Sequence, residues 1–159
     1  MRKVVLLAVV AVGAFALVAA TALADQPAPR TFVAVLTAED EVPRCAPAGN
    51  DARGVAVFHV VDEAAGTVRY KLVANNIPGN TTAAHIHLAP KGTPGGVIQP
   101  LPFTPGEEQG VIGEGTFTNP ALLAEIRANP QNYYVNLHST VCGPGVIRGQ
   151  LDEHGPANR

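Results

Sequence analysis

Short apolar segments with alternating side chains, separated by glycine and proline, constrain the fold of this chain more than any other feature. In residues 67–74, Val68, Tyr70 and Leu72 alternate with polar or charged residues, which is typical of a strand with one buried face. The 16 glycines and 14 prolines fall largely between such segments and mark turns. Strands are therefore predicted over residues 31–38, 54–62, 67–74, 83–88, 111–118, 132–139 and 146–151.

One segment has the pattern of a helix. Asn119 is a favourable N-cap, Pro120 suits the first helical position, and Pro130 ends the segment. An apolar stripe follows from Leu122, Leu123 and Ile126. Short strands with one helix at about 120–129 predict an all-β fold, an antiparallel sandwich or flattened barrel.

The N-terminal residues have the pattern of a secretory signal peptide. Arg2 and Lys3 precede an apolar stretch over 4–20, and Ala22-Leu23-Ala24 has the small residues of a cleavage site. We expect residues 1–24 to be removed, with an uncleaved membrane anchor as the alternative. Residues 25–30 are then a flexible leader, 31–152 the folded domain and 153–159 a polar tail.

Charge and cysteine content fit an exported protein. After residue 24 the chain has nine Lys and Arg (eleven less Arg2 and Lys3) against thirteen Asp and Glu, a net charge near −4. This composition does not favour nucleic acid as a partner, and no later stretch is long enough to span a membrane. A partner is expected to be an extracellular or cell-envelope protein or a surface ligand.

Two cysteines, Cys45 and Cys142, are expected to form one disulfide in an oxidising compartment. Two free thiols are the alternative. Both cysteines lie in predicted loops, and a bond between them would close a long segment of chain.

Two of the predicted strands carry histidines on one face. Because residues i and i+2 of a strand point the same way, His85 and His87 share a face, and Ile86 and Leu88 are expected to point into the core. If the two strands lie close, three imidazoles converge. The second strand is expected to turn three polar side chains outward and Val135 and Leu137 inward: Tyr134, Asn136 and His138.

The chain resembles the CHRD domain family in the order of six segments. These are residues 36–43, 54–58, 67–72, 84–87, 134–138 and 147–151. The resemblance implies an immunoglobulin-like all-β domain in secreted or surface proteins, with no settled catalytic activity. Leu88 departs from the glycine that the family has after His-x-His, Val146 replaces an acidic residue, and 44–53 looks like an insertion.

The histidines have two interpretations. Histidine is a good ligand for copper and zinc, so His85, His87 and His138 could form a mononuclear site. The His-x-His strand, later histidine and nearby cysteine also resemble Cu/Zn superoxide dismutase in part. No histidine lies between His87 and His138, however, so the zinc cluster of that enzyme is missing. The other interpretation is structural, with the rings anchoring the long predicted loop 90–110.

No complete catalytic set is visible, so we predict an exported, non-catalytic binding or structural module with no cofactor. A mononuclear copper- or zinc-binding protein is the alternative. Arg148 is expected on the polar face beside Asn136 or Tyr134, where it supports the histidines or contacts a partner. The acidic run at Glu39, Asp40 and Glu41 is expected to be a solvated loop.

Overall fold

The computed structural model describes residues 30–45 and 51–152, and these form eight strands, one α-helix and a short 3₁₀ turn at Pro130–Asn132. The all-β prediction with one short helix is confirmed. The strands and the helix have these bounds: β1 Thr31–Thr37, β2 Arg53–Asp62, β3 Thr67–Asn75, β4 Thr81–Leu88, β5 Gly96–Pro100, β6 Gly110–Thr118, α1 Pro120–Ala128, β7 Tyr133–Ser139 and β8 Ile147–Asp152.

All eight strands belong to one antiparallel sheet, in the order β5-β4-β7-β8-β1-β2-β3-β6. In this order β4 and β6 are six strands apart, about 29 Å in a flat sheet. Yet Ile86 of β4 and Phe117 of β6 line the same small apolar cavity, together with Phe58 and Leu151. The sheet therefore curls back over itself into a half-barrel, as the flattened-barrel prediction requires.

The helix closes the core of the curled sheet. Its side chains Leu122, Leu123 and Ile126 are buried, as the apolar stripe predicts. The side chain of Asn119 accepts a hydrogen bond from the Leu122 amide at 3.1 Å, so the predicted cap is present. The core itself takes alternate residues from the strands, which leaves the opposite faces for polar side chains.

Residues 90–110 were expected to be one long loop, but they contain strand β5. This strand pairs with the edge of β4, where His87 lies opposite Val97 and Leu88 opposite Gly96. The prediction missed it because five residues give too short a pattern, and the free edge of β4 exists only in the folded sheet. What remains between β4 and β5 is a short covering loop, residues 89–95.

Leu88 is not in the core, contrary to the prediction. Its neighbour Ile86 is fully buried, whereas Leu88 is 47% exposed. Leu88 is the last residue of β4, so alternation still sets its direction but the core no longer extends beneath it.

The predicted disulfide between Cys45 and Cys142 is confirmed, with 5.8 Å between the two Cα atoms. It joins the loop after β1 to the connection between β7 and β8 across 97 residues of sequence. These two loops lie at the same edge of the polar face that carries the histidines.

Several predictions fall outside the described residues. The signal peptide at 1–24, most of the leader at 25–30 and the polar tail at 153–159 are among them. In the part of the chain that the structure describes, no helix has the length and apolar character needed to cross a membrane.

Candidate metal centre

Strands β4 and β7 are neighbours in the sheet and bring the three histidines together. His85 lies opposite Asn136, and His87 lies opposite Tyr134. His138 is two residues further along β7, on the same face. One ring nitrogen from each histidine can be chosen such that the three atoms all lie within 4.8 Å of one another.

Two of the rings are oriented by backbone carbonyls. Nδ1 of His87 lies 2.9 Å from the carbonyl oxygen of Gly95, and Nδ1 of His138 lies 2.9 Å from that of Gly143. A carbonyl can only accept a hydrogen bond, so both Nδ1 atoms carry the proton. In the neutral rings, Nε2 then has a free lone pair, the usual arrangement of a metal-binding histidine.

His85 completes the cluster through a ring-to-ring contact. Its Nδ1 lies 3.2 Å from Nε2 of His138. Since that Nε2 has no proton, Nδ1 of His85 donates in the metal-free protein. Two nitrogens bound about 2.0–2.1 Å from one tetrahedral ion lie ~3.3 Å apart, so this pair already has a suitable separation.

The third nitrogen is buried without a partner. Within residues 30–45 and 51–152, Nε2 of His87 has no hydrogen-bond partner, although His87 is only 6% exposed. A buried polar atom left unpaired costs free energy. A metal ion would satisfy this nitrogen if the rings closed by up to about 1.5 Å, the difference between 4.8 Å and the tetrahedral spacing.

His85 and His87 are held in the neutral form that binds metals. Burial lowers the pKa of His85 to about 4, with smaller contributions from His138 and His87. Burial also lowers the pKa of His87, and the positive charges of His138 and Arg148 act in the same direction, while the hydrogen bond to Gly95 opposes it. Protons therefore compete weakly with a metal at neutral pH.

A three-layer stack supports the ring of His87. The Tyr134 ring lies parallel to it, with 4.8 Å between centroids and 11° between planes. Cζ of Arg148, which comes from β8 on the other side of β7 from His87, lies 3.6 Å from the centroid of the Tyr134 ring, a cation–π contact. Arg148 thus contacts Tyr134, as predicted, and reaches His87 through it.

Arg148 and Gln150 of β8 hold the covering loop onto this stack. Arg148 donates to the carbonyl oxygens of Thr93 at 3.0 Å and Pro90 at 3.3 Å. Gln150 donates to the carbonyl oxygen of Ala89 at 3.0 Å. Because three carbonyls of one loop bond to two adjacent side chains of one strand, the loop 89–95 is a fixed lid over the polar face.

Most of the polar face is therefore interior, which corrects the expectation that it points outward, and only His85 and His138 among its named residues stay partly exposed. Tyr134, Asn136 and Arg148 are 3%, 2% and 1% exposed. The alternation gave the correct face, but the loops that cover it could not be seen in the pattern of one strand. Arg148 cannot contact a partner at this exposure, so its role is to support Tyr134 and the covering loop.

Glu41 is a member of this face that the sequence analysis missed. It was expected in a solvated loop but is 3% exposed. Its Oε1 accepts hydrogen bonds from the Val42 amide at 3.0 Å and from Asn136 Nδ2 at 3.3 Å. The only available signal was its place in one of the segments that carry the family resemblance.

The charge of Glu41 is only partly compensated. Burial raises its pKa, while the Val42 amide, Arg148 and Asn136 lower it by smaller amounts. Although Val146 replaces the acidic residue expected before Arg148, Glu41 supplies a negative charge near Arg148 from another loop. Gly145 permits this approach, because a Cβ there would lie 2.5 Å from Oε2 of Glu41.

The two interpretations of the histidines are compatible in this geometry. His87 is bonded into the covering loop, as a loop anchor should be, but only through Nδ1. Its Nε2 faces no protein partner among the described residues and remains for a ligand. Ser139, the nucleophile nearest in sequence, donates to the carbonyl oxygen of Pro78 at 2.7 Å, which leaves it out of this cluster.

Comparison with known proteins identifies one family. The sequence model of the CHRD domain matches residues 32–151, which is most of the chain. No curated protein matches with significance. No solved structure matches either.

Proposed function

Since this chain belongs to the CHRD domain family, we propose that it is an exported, non-catalytic β-module that binds one copper or zinc ion through His85, His87 and His138. The observation that carries the proposal is the buried, unpartnered Nε2 of His87 beside two further imidazoles. The neutral charge state of His85 and His87 and the carbonyl bonds that orient two of the rings support it.

A binding role fits better than an enzymatic one. Among the described residues, Ser139, the nucleophile nearest to the histidines in sequence, donates to the carbonyl oxygen of Pro78 and is not paired with a base. The disulfide is compatible with an oxidising, extracellular location. An extracellular or cell-envelope protein or surface ligand remains the proposed partner.

Metal content measures the proposed function directly. Purified protein is incubated with excess copper(II) or zinc(II), desalted and analysed for bound metal. We expect one ion per chain for the wild type. His85→Ala should weaken binding by more than about 100-fold, because loss of a ligand should exceed the effect of losing an outer-shell partner.

His85→Ala is a cleaner variant than His87→Ala. His87 also anchors the covering loop, so its loss would change the structure as well as the ligand set. His85 contacts His138 and, among the described residues, makes no hydrogen bond to that loop. The matched control is His59→Ala, a histidine on β2 whose Nδ1 lies 3.1 Å from the Thr31 hydroxyl, away from the cluster. Wild-type protein that retains neither metal would refute the proposal.

A further inference from the structure

The connection between β7 and β8 links the disulfide to the candidate metal ligand His138. Cys142 is bonded to Cys45, and the next residue, Gly143, provides the carbonyl that accepts the Nδ1 proton of His138. The disulfide and the carbonyl that orients the ring are therefore adjacent in the chain.

The two ends of this connection are held independently of the disulfide. At its start the Ser139 hydroxyl donates to the Pro78 carbonyl, and the Thr140 amide donates to the Asn80 carbonyl at 2.9 Å. At its end the Val146 amide donates to the Leu137 carbonyl at 2.7 Å. Within the connection, the Cys142 amide donates to the Ser139 hydroxyl at 3.1 Å, and the Cys142 carbonyl accepts from the amides of Ser139 and Gly145. The disulfide is the covalent link between this turn and the loop after β1.

The partner of Cys142 comes from the loop that carries Glu41. Cys45 lies four residues after Glu41, whose carboxylate bonds to Asn136 in the same strand as His138. The disulfide thus holds together two loops that meet at the polar face. Without it, the strands and the turn would keep their hydrogen bonds, but the turn that carries the Gly143 carbonyl would lose its covalent link to the loop of Glu41.

We propose that the Cys45–Cys142 disulfide is a positioning element of the metal site, so that the metal is retained when the cysteines are oxidised and released when they are reduced. The inference rests on the proposed metal-binding function. Reduction by a cellular dithiol would transfer two electrons to the disulfide, giving two thiols here and a disulfide in the reductant. His138 would then lose the acceptor that keeps its proton on Nδ1 and its Nε2 free.

The test compares the wild type with the double variant Cys45→Ala/Cys142→Ala. Alanine is preferable to chemical reduction, because the released thiols and a dithiol reagent would bind copper and zinc themselves. Dissociation constants for zinc(II) and copper(II) are measured by competition with a chromophoric chelator. We expect binding ~10–100-fold weaker in the double variant, as for the loss of other outer-shell partners.

The second readout is the tautomer of His138 in metal-free protein, from the nitrogen chemical shifts of its ring. The wild type should have the proton on Nδ1, and the double variant should show a mixture or the Nε2 form. A merely stabilising disulfide would leave the tautomer unchanged. Leu122→Ala, which removes core packing on the opposite face of the sheet, controls for general destabilisation and should leave both readouts unchanged.

The outcomes separate the two proposals. Wild-type protein that binds no metal refutes the proposed function and this inference with it. Wild-type and double-variant proteins that bind metal equally, with the same tautomer, refute the inference alone. If the double variant does not fold, Pro144→Gly, which keeps the disulfide but loosens the exposed turn beside Gly143, should weaken binding in the same direction, and unchanged binding would overturn the inference.

Discussion

At the scale of single residues, the polar face is organised around buried charge. Arg148 is 1% exposed and is satisfied by two loop carbonyls, Gln150 and the face of Tyr134. Glu41, at 3% exposure, bonds through one oxygen, while Oε2 has no partner within residues 30–45 and 51–152. The positive charge of Arg148 is thus compensated by its partners. The negative charge of Glu41 costs more free energy to bury, because one of its oxygens is unpaired.

This imbalance predicts opposite results for two substitutions of Glu41. Because burial raises the pKa of Glu41, folding disfavours its negative charge, so Glu41→Gln should leave the free energy of unfolding at pH 7.5 unchanged or higher. Glu41→Ala should lower it by about 1–3 kcal/mol, because Val42 and Asn136 lose their acceptor. Urea denaturation measures both. A marked loss in the glutamine variant would show that the negative charge itself is needed.

At the scale of elements, the short loop between β4 and β5 converts a strand face into an interior site. Gly95 is the critical position of the loop, because its carbonyl accepts from His87 and its amide donates to the Tyr134 hydroxyl at 3.1 Å. A Cβ at Gly95 would lie 2.1 Å from the carbonyl oxygen of Leu88, so only glycine fits. The loop can therefore follow β4 closely enough to cover its histidines.

Gly95 and Gly96 form a matched pair for testing whether the covering loop requires glycine at position 95. Gly95→Ala should displace the loop and lower the free energy of unfolding by about 1–3 kcal/mol, the usual cost of forcing extra atoms into a packed site. Gly96→Ala should change it by less than about 0.5 kcal/mol, since nothing lies within 4 Å of a Cβ there. Chemical denaturation measures both free energies of unfolding, and equal effects of the two substitutions would contradict the role of Gly95 in the covering loop.

At the scale of the whole molecule, the curled sheet has two halves that meet where β8 pairs with β1. The polar face belongs to β4, β7 and β8, whereas Glu41 follows β1 at the other side of this junction. The disulfide crosses the same junction, from the loop after β1 to the connection before β8. The stability of the whole sheet and the positions of the histidine side chains are therefore coupled.

This coupling predicts how the stability of the metal-free protein depends on pH. The pKa of His85 falls from 6.5 to about 4 on folding, so between these values the unfolded chain binds a proton that the folded protein does not. The contribution of His85 is fully present above about pH 6.5 and decreases as the pH falls towards 4. The raised pKa of Glu41 acts in the opposite direction, because the folded state binds that proton more readily on acidification.

The difference between wild type and His85→Asn isolates the histidine from Glu41. Urea midpoints measured from pH 7.5 to 4.5 should fall more steeply in the wild type than in the variant. Parallel curves would show that His85 titrates normally in the folded protein.

The sequence by itself determined the class of fold, the helix, the disulfide pairing and the face on which each histidine lies. These depend on local rules: alternation places His85 and His87 on one side of a strand, and Asn119 with Pro120 begins a helix wherever that helix packs. The pairing of Cys45 with Cys142 followed because two cysteines offer only one intramolecular bond.

Only the tertiary structure decided that most of this face is interior. Burial depends on which distant segment lies above a strand, and neither the lid over Tyr134 nor the insertion of Glu41 leaves a periodic pattern in the sequence. The same holds for β5, which forms because β4 is left with a free edge when the sheet curls. The two ring nitrogens of His87 also have different environments: Nδ1 is bonded to Gly95, and Nε2 has no partner among the described residues. This difference likewise follows from contacts between loops and strands far apart in the chain.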